Sequence, residues 1–186
     1  MRSVLDENAD VILDEESSAN ISGARNRLVR KFLDSGAEWL YMADTDTVFP
    51  VGTVSRLIDS GKQIISGLVM VDSSPPIPMM YRRLADVGFG IGMFSAITEW
   101  DEKIIKVDSV GAGCLMVHRD VYIDIESRLS NRAAPWFQES VVGTQLIGED
   151  FTFCMRAASI GYSIFVNTSV FVGHVKTRVL RADSRQ

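Results

Sequence analysis

Long hydrophobic runs are missing from this 186-residue chain: no apolar stretch reaches the ~18 residues that a bilayer-spanning helix needs. Any Lys/Arg-rich block is missing too. With 24 acidic against 19 basic residues the formal charge is −5. Proteins that bind nucleic acid through phosphate neutralisation carry a concentrated basic footprint, so sequence-specific nucleic-acid binding is not expected. A local basic site for one small phosphorylated ligand stays open. Cysteine is sparse: Cys114 and Cys154 lie far apart in apolar surroundings, with the spacing of neither a disulfide framework nor a metal site. Both are expected to be core residues. The N-terminus, MRSVLDENADVILDEESS, is too acidic for a signal peptide. Repeats, low-complexity tracts and linkers are also lacking. These absences point to one reduced, cytoplasmic globular domain, long enough to bury a proper core.

What is present alternates between helical and extended patterns. NISGARNRLVRKFLDSGAEW predicts a helix over 22–35, with Leu28, Val29, Phe32 and Leu33 as its apolar stripe and Gly36 as its stop. A strand is expected over 38–43. Pro50 suits the first turn of a second helix, with Val54, Leu57 and Ile58 inward and Gly61 at its end. QIISGLVMV reads as a short buried strand, and the serine- and proline-rich stretch 72–78 as a loop. MMYRRL and GMFSAITEW are strand-like. KIIKVDSVGAGCLMVHRDVY reads as strand, glycine turn, strand and helix; SNRAAPWF is a loop. GEDFTFCMRAASIGY predicts a helix with Phe151, Cys154, Met155 and Ala158 on its apolar face, and SIFVNTSVFVGHV supplies one last strand or two. Alternating strands and helices indicate an α/β domain with a partly parallel sheet, and ligands of such sheets collect beyond the carboxyl ends of the strands.

Several side chains are set where chemistry is possible. In WLYMADTDTVFP an apolar strand stops on Asp44 and Asp46. Residues two apart on a strand project to one side, so their carboxylates would repel unless a positive group lies between them. Their bland reading is an acidic turn or cap. Glu149 and Asp150 open a helix, where the dipole favours carboxylates whether they act as caps or as a base. Gly111-Ala112-Gly113 permits close backbone approach, as a tight turn or beside a ligand.

The ordered set ARNRLVRKFLDSGAEWLYMADTDTVFP, GAGCLMVHRDVY, PWF, GEDFTFCMRAASIGY and GHV resembles the GT-A-fold glycosyltransferases, most similarly their family 2 type, from about Asn20 to Val175. The resemblance implies a Rossmann-related, mixed and largely parallel sheet flanked by helices in a single domain over 1–186, with 176–186 as a polar tail. It implies a metal-dependent, inverting transferase that moves a sugar from a UDP- or GDP-sugar donor to an acceptor hydroxyl. Asp44, Thr45 and Asp46 would bind the donor diphosphate with Mn2+ or Mg2+, Asp46 coordinating directly. His174 would complete the metal site. Asp150 would be the catalytic base, with Glu149 in an acceptor or helix-orienting contact. Arg25 and Asn26 would lie near the donor, Gly111-Ala112-Gly113 would wall a sugar or acceptor pocket, and Trp136 and Phe137 would stack on a sugar ring.

Members of that family begin with an apolar strand that holds the nucleoside base, and here Met1 falls where that strand should already have passed. The first nucleotide-binding strand is therefore expected to be lacking, and the shortness suggests a phage origin. Two other classes stay open. A non-catalytic remnant would bind a glycan or partner protein. A sugar nucleotidyltransferase would normally carry a Gly-rich N-terminal loop with a basic residue, which this chain lacks.

Overall fold

The computed structural model describes residues 12, 14–84, 94–128, 134–142 and 145–175. Helix α1 (Ile21–Ser35) opens on Asn20, whose side chain accepts the Gly23 N–H, and closes on Gly36 at φ 77°. That left-handed conformation is open to glycine without steric cost. Strand β1 (Trp39–Ala43) follows, then the two-residue β2 (Thr47–Val48), α2 (Thr53–Ile58), β3 (Ile64–Val71), β4 (Ile77–Pro78) and β5 (Met80–Arg83). After β6 (Phe94–Ala96) come β7 (Ile104–Val107), β8 (Ser109–Val110), β9 (Cys114–His118) and α3 (Arg119–Arg128). The chain continues through β10 (Ser140–Val142), β11 (Gln145–Ile147), α4 (Glu149–Ser159) and β12 (Ile164–His174). Among the described residues no helix is long and apolar enough to cross a membrane.

The main sheet runs β1-β9-β3-β12-β2, with β4 added on β3 and β7 on β12. The α/β class and the flanking helices are as expected, but the parallel share is smaller. Among the described strands one pairing is parallel, β3 with β12. The reason is β9, which enters antiparallel between β1 and β3 and separates two strands that run the same way. Strands β1, β3 and β12 therefore share a direction, and their carboxyl ends meet at one edge.

Strand β3 is buried on both faces, and its alternation sorts two cores. Ile64 and Leu68 face α1, α3 and α4, together with Val29, Phe32, Tyr122 and Phe153. Ile65 and Val69 face α2, together with Leu57, Cys114, Val170 and Val172. Both cysteines are buried and free, as expected. Helix α2 starts at Thr53, past the expected Pro50, and buries Leu57 while Ile58 stays exposed. Helix α4 buries Phe153, Cys154 and Ala157, whereas Phe151, Met155 and Ala158 lie off the core. Both stripes have helical spacing, and docking selects between them.

The last strand is one strand, interrupted. Its pairing with β3 shifts between Asn167 and Phe171, so extra residues bulge out. Before the bulge its other neighbour is β7; after it, β2. The change of partner carries His174 to the edge where β1 ends.

Candidate active site

Strand β1 stops at Ala43 because the next four residues close a turn. The Thr47 N–H donates to the Asp44 carbonyl oxygen at 3.2 Å, and the Asp44 N–H reaches the Gly113 carbonyl at 3.2 Å. This corrects the expectation that the two aspartates project together. A turn lies between them, the period-two rule does not apply, and the carboxylates part. Asp44 goes to Arg25 and Asp46 to His174. Thr45 is exposed at the turn.

Arg25, expected beside the donor, is an internal strut. It is 7% exposed, and its guanidinium spans two motifs far apart in sequence. Nη1 donates to Glu149 Oε1, and Nη2 lies 3.3 Å from Asp44 Oδ1. The planar fork fits two carboxylates at once, which a lysine's single ammonium does not. Glu149, 8% exposed, is thereby committed to orienting α4. Asn26 is committed as well. Its Nδ2 donates to the carbonyls of Ser22 and Phe137, each at 2.7 Å, while Oδ1 accepts the Trp136 and Phe137 N–H groups at 3.3 and 3.2 Å. It clamps the Trp136 loop onto α1 in place of contacting a donor.

That clamp corrects the sugar-stacking expectation. Trp136 is 1% exposed and Phe137 fully buried. The indole N–H donates to the Tyr122 carbonyl at 2.8 Å, and Phe137 stacks on Phe153 with centroids 4.8 Å apart. Neither ring offers a face to a sugar; both fill the core.

His174 Nδ1 lies 3.2 Å from the Met70 carbonyl oxygen, which can only accept, so that nitrogen carries the proton. In the neutral ring Nε2 then holds a lone pair, and it points at Asp46 Oδ2, 2.9 Å away. Two acceptors facing each other call for a shared proton or a cation. A histidine whose other nitrogen donates to a backbone carbonyl is oriented as metal-ligating histidines are. Among the described residues no three His, Cys, Asp or Glu side chains gather closely enough to enclose an ion. Mg2+ and Mn2+ sites that take one or two carboxylates plus substrate phosphate oxygens and water need no such cage. The Asp46 carboxylate fits that donor set, and the imidazole suits the transition ion Mn2+ better than the harder Mg2+.

The Gly111-Ala112-Gly113 turn is buried, so it is not an open pocket wall. It lies against both carboxylate groups. A Cβ on Gly113 would stand 2.8 Å from Asp44 Oδ2, and one on Gly111 would meet Met79 and come within 3.7 Å of Asp150 Oδ2. Gly148 is equally constrained, since its Cβ would stand 2.8 Å from Asp150 Oδ1. Asp150 thus sits among Gly111, Gly148, Met79 and the first turn of α4, where its Oδ1 accepts the Phe151 N–H at 2.8 Å. Burial, and after it the charge of Glu149, push its pKa up to about 6. Tyr81 also belongs to this environment, its hydroxyl pKa raised by burial and then by Asp150. Nothing in MMYRRL marked Met79 or Tyr81 in advance, because long-range pairing brings them there: the Met79 N–H donates to the Val69 carbonyl of β3, and β5 pairs with β8 at Tyr81.

The fold has solved counterparts. A197 from STIV matches over 86% of this chain and 70% of that one, at 15% identity and a TM-score of 0.55. GalNAc-T7, whose crystal structure contains UDP, GalNAc and Mn2+, matches over 84% of this chain and 30% of that one, also at 15% identity and a TM-score of 0.55. The chain therefore spans about a third of the length of GalNAc-T7. No protein-family model and no curated protein sequence matches it. At this identity the likeness is one of fold: the chain is an α/β domain of the GT-A-like type.

Proposed function

We propose that the chain is a metal-assisted, inverting glycosyltransferase that uses a nucleoside-diphosphate sugar, UDP- or GDP-linked, and an acceptor hydroxyl. The observation that carries this reading is the different setting of each carboxylate at one sheet edge. Asp44 and Glu149 are tied to Arg25, Asp46 faces an oriented imidazole, and Asp150 is half-buried in a setting that raises its proton affinity. The GT-A-like fold, shared with a protein solved with UDP and Mn2+, supports it.

Asp46 and His174 would hold Mn2+ or Mg2+, with Asp44 and Thr45 beside the donor. When bound, the cation offsets the charge on the leaving diphosphate. Asp150 takes the proton of the acceptor hydroxyl as that oxygen bonds to the anomeric carbon. The carbon–oxygen bond to the diphosphate breaks, and the electron pair leaves with the nucleoside diphosphate. A base placed opposite the leaving group gives inversion.

The test is the thermal midpoint with UDP, GDP, CDP or ADP, each with and without Mn2+. A ligand that binds only the folded state raises it, by about 2.7 kcal/mol of stability at one hundred times the dissociation constant. The expected result is a rise with one nucleotide, dependent on Mn2+ and lost in Asp46→Ala. No rise with any nucleotide, in a protein that melts cooperatively, overturns the reading.

Gly113→Ala supplies a finer check. Its methyl group pushes on the Asp44 carboxylate, the end of a side chain that is 44% exposed and able to yield. Little loss of stability is expected, with metal-dependent nucleotide binding weakened about tenfold, roughly 1.4 kcal/mol by titration calorimetry. Wild-type affinity in this variant would remove Asp44 from the donor site.

A further inference from the structure

Tyr81, Phe94 and Phe151 belong to neither hydrophobic core. The aromatic residues Phe32, Tyr122, Trp136, Phe137 and Phe153 account for much of the larger one. Here Phe151 packs against both of the others instead. The Phe151 ring lies 4.9 Å from Tyr81, tilted by 51°, and 4.9 Å from Phe94, edge-on at 83°.

Two neighbouring strands arrange them. In the β5–β6 pair Tyr81 is opposite Ala96 and Arg83 opposite Phe94, so Tyr81 and Phe94 are diagonal neighbours on the same face, within reach of each other's rings. The opposite face of β5 carries Met80, fully buried in the core. Phe151, from the first turn of α4, completes the outer face. All three rings are half-buried. A cluster of aromatic rings that contributes to no core and remains partly open is available to a ligand, unlike apolar residues scattered singly over a surface.

Its place in the fold gives it a ligand. Phe151 follows Asp150, whose carboxylate accepts its N–H, and Tyr81 lies within the field of that carboxylate. A molecule that lies against these rings is therefore next to the first turn of α4, where one of its hydroxyls can give its proton to Asp150. A pyranose meets both demands: its hydroxyls form a polar rim, and its axial C–H groups form an apolar face that stacks on an aromatic ring. An alkyl chain has no such rim.

We propose that Tyr81, Phe94 and Phe151 form the acceptor subsite, and that the acceptor is a carbohydrate whose pyranose ring stacks there with one hydroxyl directed at Asp150. This rests on the glycosyltransferase reading, and it assigns the acceptor side of the same site.

Saturation-transfer NMR on the whole chain tests it without any donor. The probes are the methyl pyranosides of β-glucose, β-galactose, α-mannose and N-acetyl-β-glucosamine, with octanol as a lipid-like comparison. Irradiation of protein aromatic protons is expected to reach the ring protons of at least one pyranoside. The signal should fall about fivefold or more in Tyr81→Ala/Phe94→Ala, the scale of a lost aromatic contact, and persist in Tyr81→Phe. Should the double variant fail to melt cooperatively, Tyr81→Ser alone gives the same comparison. No transfer to any pyranoside, transfer to octanol only, or a pyranoside signal unchanged in the alanine or serine variant overturns the subsite. The two readings fail separately. If pyranosides bind at these rings while no nucleotide binds with Mn2+, the transferase is lost and a glycan-binding surface remains. If the nucleotide binds and the pyranosides do not, the transferase stands without this subsite.

Discussion

Replacing Arg25 with methionine is expected to cost about 3–5 kcal/mol of folding stability, the scale of removing one partner from a buried ion pair. The size follows from what is left behind. Glu149 is 8% exposed, and Arg25 is its charge partner. Asp44, with 44% of its side chain exposed, is screened by water and adds little to the cost. The guanidinium also lies over the Phe137 ring at 5.9 Å, so methionine restores part of the packing but none of the charge. Urea unfolding should show a lower midpoint with an unchanged slope. Arg25→Lys should be intermediate, since one ammonium cannot meet two carboxylates in the geometry of a fork. Arg25→Met/Glu149→Leu should recover much of the loss, because the penalty belongs to the carboxylate left buried alone. A loss below about 1 kcal/mol for Arg25→Met would place the pair among exposed ion pairs and refute the strut.

The same strut shows where sequence reading stops. Helix α1 was legible because caps and apolar spacing are local: Val29 and Phe32 are buried, and Gly36 ends the helix where expected. The apolar run into Asp44 was legible as a strand for the same reason. Arg25 and Asn26 were recognisable as out of the ordinary, but not as internal partners. Their contacts lie 124 and 111 residues away, and a polar residue on a helix looks alike whether it meets water, a ligand or a buried carboxylate. The place of Trp136 and Phe137 is obscured by the same mechanism. A proline-led aromatic loop reads as surface until one knows that Asn26 fastens its backbone to a helix. The divergence of Asp44 from Asp46 was hidden by the two hydrogen bonds that close the turn, from the Thr47 N–H and hydroxyl to the Asp44 carbonyl. His174 was visible as a residue type, and its orientation was not, because the bulge in β12 that delivers it has no local signature.

Asp150→Asn should separate stability from catalysis. Transfer is expected to fall by about 10²–10⁴, the range for loss of a positioned general base, while Mn2+-dependent nucleotide binding persists, because the asparagine leaves Asp46 and His174 untouched. Stability should move the other way. The folded-state pKa of Asp150 is raised to about 6 from the ordinary 3.8, chiefly by burial. Between those values the folded state holds a proton that the unfolded chain has lost, so wild-type stability declines as pH rises through that window and is level above it. Asparagine cannot ionise, and its amide oxygen can still accept the Phe151 N–H. The variant should match wild type near pH 4 and exceed it at pH 7–8 by on the order of 2–3 kcal/mol. Wild-type transfer should rise with pH through about 6, as the carboxylate becomes free to accept a proton. Melting curves at pH 4 and pH 8, with initial rates across the interval, check both halves. An Asn variant that transfers sugar at the wild-type rate ends the assignment of Asp150 as base. One that is inactive but gains no stability at high pH shows that the carboxylate acts without being destabilised by its pocket, and the acid limb of the rate profile must then belong to another group.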